Sequence, residues 1–160
     1  MKNITLDTTD VALLNQLQHD ATLSNQALAA AVQVSPPTAL RRVRQLHKAG
    51  LIERQVAILN ADHLGNLLSH GLTALAEVSL ERQDAAALDA FEARAVADDA
   101  VQQCYRVSPG PDFVLVLAVA DMPGYHALAQ RLFNANANVR NVKAFFSVKR
   151  AKFKTQVVLG

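Results

Sequence analysis

Cysteine is nearly missing from this chain. One thiol, Cys104, stands alone in 160 residues. That excludes an internal disulfide and a cysteine-based zinc site. A reducing, cytosolic compartment fits. Trp is absent and aromatics are only 5%, so the cores must be built largely from Leu, Val, Ile and Ala. No run of about 18 purely apolar residues occurs, which argues against a membrane span. Residues 1–7 lack the basic and apolar regions of a secretory leader, so none is expected. The histidines at 19, 47, 63, 70 and 126 show neither H-x-x-x-H nor H-E-x-x-H spacing. No G-x-G-x-x-G or P-loop is present. No metal, cofactor or catalytic residue is therefore expected, and Cys104, on a strand-like stretch, reads as a buried structural thiol.

What is present is apolar and unevenly charged. Hydrophobic residues make up 51% and charged residues 19%, enough for one folded domain or two small ones. Net charge is only +2, but its distribution is a mosaic. Residues 122–160 carry seven Lys or Arg and no acid, while residues 61–121 carry ten acids against three basics. Four of the six basic residues before position 61 sit together at Arg41, Arg42, Arg44 and Lys48. Such a cluster is either a solvated face or a footprint for nucleic acid.

The first fifty residues read as three helices and a turn. Asp7 caps the first, with Asp10 in its first turn. Val11, Leu14 and Leu17 recur at helical spacing, and Asn15, Gln16 and Gln18 face away. Ser24 caps a second, short helix with Leu28, Ala31 and Val32 inside. Gln33-Val34 is the turn. Ser35-Pro36 opens a third helix, with Ser as cap and Pro at the first helical position. Leu40, Val43 and His47 read as inward-facing, flanked by Ala39 and Leu46, and Gly50 ends the helix. A short helix, a tight turn and a longer basic helix make a helix-turn-helix. In that arrangement Ser35, Pro37, Thr38 and Arg41 meet the major groove. Arg41, Arg44 and Lys48 share one stripe, with Arg42 beside it. Leu51–Leu59 reads as a strand, a wing on the helix-turn-helix.

After a connector at 60–65 with a helical turn at 61–64, the period changes to two. Leu72, Ala74, Ala76, Val78 and Leu80 form one face of a strand. A helix follows over 84–95, with Leu88, Phe91 and Ala95 inward, then a strand over 101–107. Ser108-Pro109-Gly110-Pro111-Asp112 is a tight turn. Phe113–Ala120 is wholly apolar and reads as a strand buried on both faces. Asp121 caps a helix with Tyr125, Leu128 and Leu132 inward. A loop at 134–138 and a strand over 139–148 complete the set, with Gln156–Leu159 a candidate fifth strand. The order βαββαβ is the ferredoxin-like motif. The fold class is therefore α+β. The boundaries are 1–52 for a DNA-binding domain, 53–65 for strand and linker, and 66–160 for an effector-binding and oligomerisation domain. Leu75 and Phe145 make the open sheet face apolar, so face-to-face dimerisation is expected.

The order of motifs carries a resemblance. The N-terminal set is Leu6-Asp7-x-x-Asp10, Leu13-Leu14-x-x-Leu17-Gln18, Leu23-Ser24-Asn25, Leu28-Ala29, Val34-Ser35-Pro36, Arg42-Val43-x-x-Leu46 and Ala49-Gly50-Leu51-Ile52. The C-terminal set is Cys104-Tyr105-x-Val107, Asp112-Phe113-x-Leu115 and Asp121-Met122-x-x-Tyr125. Over roughly residues 4–159 the chain resembles the Lrp/AsnC (feast/famine) family of transcriptional regulators. The resemblance implies a winged helix-turn-helix, a C-terminal ligand-binding domain, and dimers that assemble further, often to octamers. It also implies an effector, usually an amino acid, held between dimers partly by the turn after the second C-terminal strand.

Here that turn is Ser108, Pro109, Gly110, Pro111 and Asp112. Pro109 stands where the family commonly has glycine. Val142 and Ala144 stand where two threonines are usual, and Asn136-Ala137-Asn138 replaces a common Leu-Pro-Gly. Fewer hydroxyls, and two prolines without N–H, leave fewer partners for an amino acid's charged ends. A weak or atypical response is expected, with hydrophobic or aromatic amino acids favoured. Asp112 is either a ligand anchor for the ammonium or a turn aspartate bonding its own backbone. Lys149, Arg150, Lys152 and Lys154 are either DNA-backbone contacts or a solvated end. The expected function is a sequence-specific regulator acting on double-stranded DNA. The alternatives are an effector-independent architectural DNA protein, and a small-molecule-binding or enzymatic module with a helical appendage.

Overall fold

The computed structural model describes residues 5–68 and 71–159. His70, one of the five histidines, and Ile4, where the resemblance begins, lie outside that set. The chain packs as two units. One comprises residues 1–58 with 152–160, and the other residues 59–151. The tail at 152–160 groups with the N-terminal unit. No helix among the described residues is long and apolar enough to cross a membrane.

In the first unit α1 spans Thr8–His19, α2 Asn25–Ala31 and α3 Pro36–Lys48. Local chemistry sets their starts. Asp7 and Asp10 form a capping box, each side chain accepting from the other's backbone N–H. Ser24 Oγ accepts from the Ala27 N–H at the head of α2. Gln33 takes a left-handed turn at φ 57°, and Gly50 does so at 73° just past α3, where glycine meets no Cβ penalty. The core is Leu13, Leu14, Leu28, Ala29, Ala39 and Leu46, with Leu17, Val32 and Val43 packed against it.

Three readings of inner faces shift. Leu13 is fully buried, although the stripe named was Val11, Leu14 and Leu17. In α2, Ala29 is inside and Ala31 exposed. In α3, Ala39 and Leu46 are buried, whereas Leu40 and His47 are exposed. At about 100° per residue, the buried stripe of α3 lies roughly 60° from the expected one. Ala39 and Leu46 pack with Leu13, Leu14, Leu28 and Ala29, which leaves Leu40 on the flank. No strand forms among residues 51–60. Val56 and Ile58 are largely exposed there. A strand exists only as a hydrogen-bonded ladder, and no strand among the described residues pairs with this segment. The same reason removes the expected strand at 156–159.

In the second unit α4 covers Ala61–Leu68, longer than the expected single turn. It is followed by β1 (Leu72–Leu80), α5 (Ala85–Val96), β2 (Val101–Arg106), β3 (Phe113–Val119), α6 (Met122–Ala129) and β4 (Val139–Phe146). A π-helical turn at Gln130–Asn134 extends α6. The sheet is antiparallel with order β2-β3-β1-β4, the ferredoxin-like arrangement. Its inner face carries Ala74, Ala76, Val78, Leu80, Phe113, Leu115 and Leu117 against Phe91, Ala95, Leu128, Leu132 and Phe133. Cys104 packs against this core, and burial pushes its thiol pKa up, as a structural thiol requires. The other face is open. Leu75 lies opposite Val116 on β3 and Phe145 on β4, and Leu75, Phe145 and Tyr105 are all exposed. β3 is therefore buried on one face only: Val114 and Val116 are half-covered and Ala118 exposed.

Candidate nucleic-acid interface and effector site

The helix-turn-helix is closed by backbone and side-chain bonds. The Gln33 and Val34 N–H groups donate to the Ala30 and Ala29 carbonyls. Asn25 Nδ2 donates to the Pro36 carbonyl at 2.8 Å, tying the head of α2 to the head of α3. At the start of α3, Ser35 occupies the cap position but makes no cap bond to the backbone. Its hydroxyl instead pairs with Thr38 Oγ1 at 2.8 Å. Pro36 and Pro37 remove two N–H groups that would otherwise face an anion. Any phosphate or base approaching this end meets two hydroxyls rather than an amide cradle.

The basic residues divide. Arg41, Arg44 and Lys48 are exposed on the side of α3 opposite Ala39 and Leu46, and Pro37 is exposed with them. Arg41 Nη1 donates to Gln45 Oε1 one turn on, at 3.2 Å. Arg42 does not belong to that stripe. Its Nη1 donates to Asp7 Oδ2 at 2.6 Å and to Asp10 Oδ1 at 2.9 Å. The bonds to Asp7 and then Asp10 hold Arg42 more firmly protonated, and the Asp10 backbone N–H, followed by Arg42, holds the Asp7 carboxyl below its ordinary value. Arg42 keeps the place beside the stripe that helical spacing gives it, but its guanidinium is engaged by the head of α1.

The proposed effector residues gather at one end of the sheet. The turn Ser108–Asp112 contains a cis Ser108-Pro109 peptide, and Gly110 has φ 117°. The Asp112 N–H donates to the Val78 carbonyl, and Asp112 Oδ2 accepts from the Leu80 N–H at 2.7 Å and from Gln83 Nε2 at 3.2 Å. Asp112 thus clamps its turn to the end of β1. Val142 is registered against Val78 and Ala144 against Ala76, so both lie on the inner, helix-covered face. Val142 packs against the core. The structure brings the turn and Val142 to opposite flanks of Val78, but it does not turn Val142 outward with Asp112. Among the described residues, no group of three or more His, Cys, Asp or Glu could hold a metal ion.

A residue passed over in the sequence reading is Gln18. It donates through Nε2 to the Val157 carbonyl at 3.1 Å, while its Oε1 accepts from the Val157 N–H. Its carboxamide pairs with both the N–H and the C=O of one tail residue. Nothing local to α1 could signal this, because the partner is 139 residues away.

Comparison with known proteins bears on both units. Residues 6–47 match the AsnC-type helix-turn-helix domain, and residues 73–157 match the Lrp/AsnC ligand binding domain. The chain belongs to the Lrp/AsnC family. A leucine-responsive regulatory protein of Rhizobium meliloti is 34% identical, with 96% of each chain covered. An HTH-type transcriptional regulator of Haemophilus influenzae is 32% identical, over 97% of this chain and 90% of that one. Among solved structures, a transcriptional regulator from Neisseria meningitidis in complex with L-methionine superimposes with a TM-score of 0.83 at 28% identity, covering 96% of this chain and 97% of that one. An AsnC family regulator from Agrobacterium tumefaciens gives 0.84 at 26% identity, with 96% and 97% covered. This Lrp/AsnC chain is therefore a helix-turn-helix transcriptional regulator with a ligand-binding domain, not an enzyme.

Proposed function

We propose that this regulator reads duplex DNA with the outward face of α3, through Ser35, Pro37, Thr38, Arg41, Arg44 and Lys48, as a homo-oligomer. The observation that carries the reading is the segregation on α3. Three cations share one exposed stripe while Ala39, Val43 and Leu46 hold the opposite side. Long cationic side chains on a helix that follows a tight turn suit phosphate and guanine edges in the major groove. The protein then works beside DNA in the cytoplasm. Two features support assembly through a second copy: the open sheet face with Leu75, Val116 and Phe145, and the unpaired extended segment with Val56 and Ile58. Electrophoretic mobility shift of duplex DNA by the full-length protein tests the reading. Arg41→Ala or Arg44→Ala weakens a base-reading contact by about 1–3 kcal/mol. Retention of full affinity in Arg41→Ala/Arg44→Ala would refute it.

A second part concerns the effector. An apolar amino acid, of which methionine is the first candidate, suits a domain whose turn is proline-rich and whose β4 offers Val142 and Ala144 rather than hydroxyls. The Neisseria relative binds such a ligand. Asp112 Oδ1 carries no hydrogen bond among the described residues and remains available to an ammonium while Oδ2 holds the turn. A thermal-shift screen of the twenty amino acids, followed by calorimetry on Asp112→Asn, tests this. Tight binding of a small polar amino acid, unaffected by that change, would overturn it.

A further inference from the structure

Arg42 is the one cation of α3 to which the DNA reading assigns no contact. Its side chain is only 23% exposed, and its Nε is buried without a partner. The carboxylates it meets are themselves held. Asp7 Oδ1 accepts from the Asp10 N–H, and Asp10 Oδ2 accepts from the Asp7 N–H. The remaining oxygens, Asp7 Oδ2 and Asp10 Oδ1, both take Arg42 Nη1. The capping box therefore does two things at once. It starts α1, and it presents a two-carboxylate cup to a residue more than 30 positions away.

We propose that Arg42 is a positioning residue, which locks the N-terminal turn of α1 to the middle of α3 and so sets the angle at which α3 meets DNA, without touching DNA itself. The inference rests on α3 being the reading helix and goes beyond it. The apolar contacts of α3 are short or adaptable side chains, namely Ala39, Val43 and Leu46. Such packing is nondirectional and tolerates a small roll of the helix about its axis. Two charge-assisted bonds to a preorganised cup do not, because their strength depends on distance and angle. Even a small roll would draw the guanidinium off the cup and swing Arg41 and Arg44 around the groove. A DNA phosphate would have to displace two carboxylates to recruit Arg42.

The test uses full-length protein and a duplex that the wild type selects from a random pool, with an unselected duplex as control. Three variants are compared: Arg42→Ala, Arg42→Lys, and the double variant Asp7→Ser/Asp10→Ala, which keeps a helix cap but removes the cup. Circular dichroism at the assay temperature verifies that each is folded. Arg42→Ala is expected to lose about tenfold in affinity for the selected duplex, the scale of a charged hydrogen bond. Its affinity for the unselected duplex and its salt dependence stay as in the wild type. Arg42→Lys recovers most of the loss, since both bonds fall on one nitrogen that an ammonium can replace. Asp7→Ser/Asp10→Ala also weakens selective binding, although it removes two negative charges. If Arg42 were a phosphate contact, that variant would bind more tightly, and Arg42→Ala would lower the salt slope by about 0.9. Either result overturns the proposal, as does unchanged selectivity in a folded Arg42→Ala. If the wild type selects no duplex at all, the reading of α3 fails first and the inference falls with it.

Discussion

The two units solve the same packing problem with different means. The sheet unit buries Phe91, Phe113, Leu80, Leu115, Leu117, Leu128, Leu132 and Phe133 in one continuous core. The helical unit has a smaller core, with Leu13, Leu14, Leu28 and Leu46 as its large buried members and no buried aromatic among the described residues. Small units bury a smaller share of their surface and are correspondingly marginal. The helical unit compensates with directional polar links: Arg42 to Asp7 and Asp10, Asn25 to Pro36, and Gln18 to the tail. The sheet unit has ion pairs as well, such as Arg131 with Asp98, but its elements are already held by packing. Polar links therefore set geometry where the apolar core is thin, and matter less where it is thick.

That comparison can be broken from the core outward. Phe113→Ala should cost about 3–5 kcal/mol, because it empties a fully buried site whose ring centre lies 4.8 Å from that of Phe91. Denaturant unfolding followed separately in each unit should show the sheet unit lost and the helical unit retained. Coincident loss of both would mean that they unfold as one body.

Leu13→Ala should cost about 2–4 kcal/mol by the same argument applied to the helical unit. Its core is thin, so the unit should fall below its folding threshold and DNA retention should vanish. The sheet unit's near-ultraviolet signal should persist. A fully folded helical unit in this variant would show that its core has more reserve than its buried residues suggest.

Gln18→Ala removes two bonds to the backbone of Val157. At about 0.5–1.5 kcal/mol per net hydrogen bond, the tail should loosen without unfolding α1. Limited proteolysis within 152–160 should accelerate severalfold, while thermal unfolding of the unit shifts little. An unchanged cleavage rate would mean that Val158 and Leu159 hold the tail without the carboxamide.

The smallest effect is expected from acid. Asp98 lies below its ordinary value of 3.8, chiefly through the Arg131 side-chain bond, and Asp7 does so through the Asp10 backbone bond and Arg42. A depressed carboxyl stabilises the fold above its unfolded pKa and loses that contribution as pH falls through the folded pKa. Stability should thus be flat across neutral pH and decline only below about pH 4. Asp98→Asn should flatten part of that decline in a series of thermal melts. A decline beginning near pH 6 would point to a histidine instead.

What could be read in the chain was what is decided locally. Asp7, Ser24, Asp84 and Asp121 cap their helices through N–H groups three residues away, a distance at which sequence and space coincide. The alternation from Leu72 to Leu80 likewise needs only the strand's own period. The turn at Gln33 and the stop at Gly50 were legible on the same ground.

The tertiary structure decided what depends on a distant neighbour. The roll of α3 was set by which helix presses on it, so Ala39 went inside and Leu40 did not. The same packing brings Arg42, beside the exposed stripe, within reach of Asp7 and Asp10. The segments at 51–59 and 156–159 have strand-like residues but no ladder, because a strand is a property of a pair and not of a sequence. Asp112 has its Oδ2 held by Leu80 and Gln83, about 30 residues earlier, partners that its own turn could not name. A local sequence dictates the bonds within its reach, and the partners beyond that reach are chosen by packing.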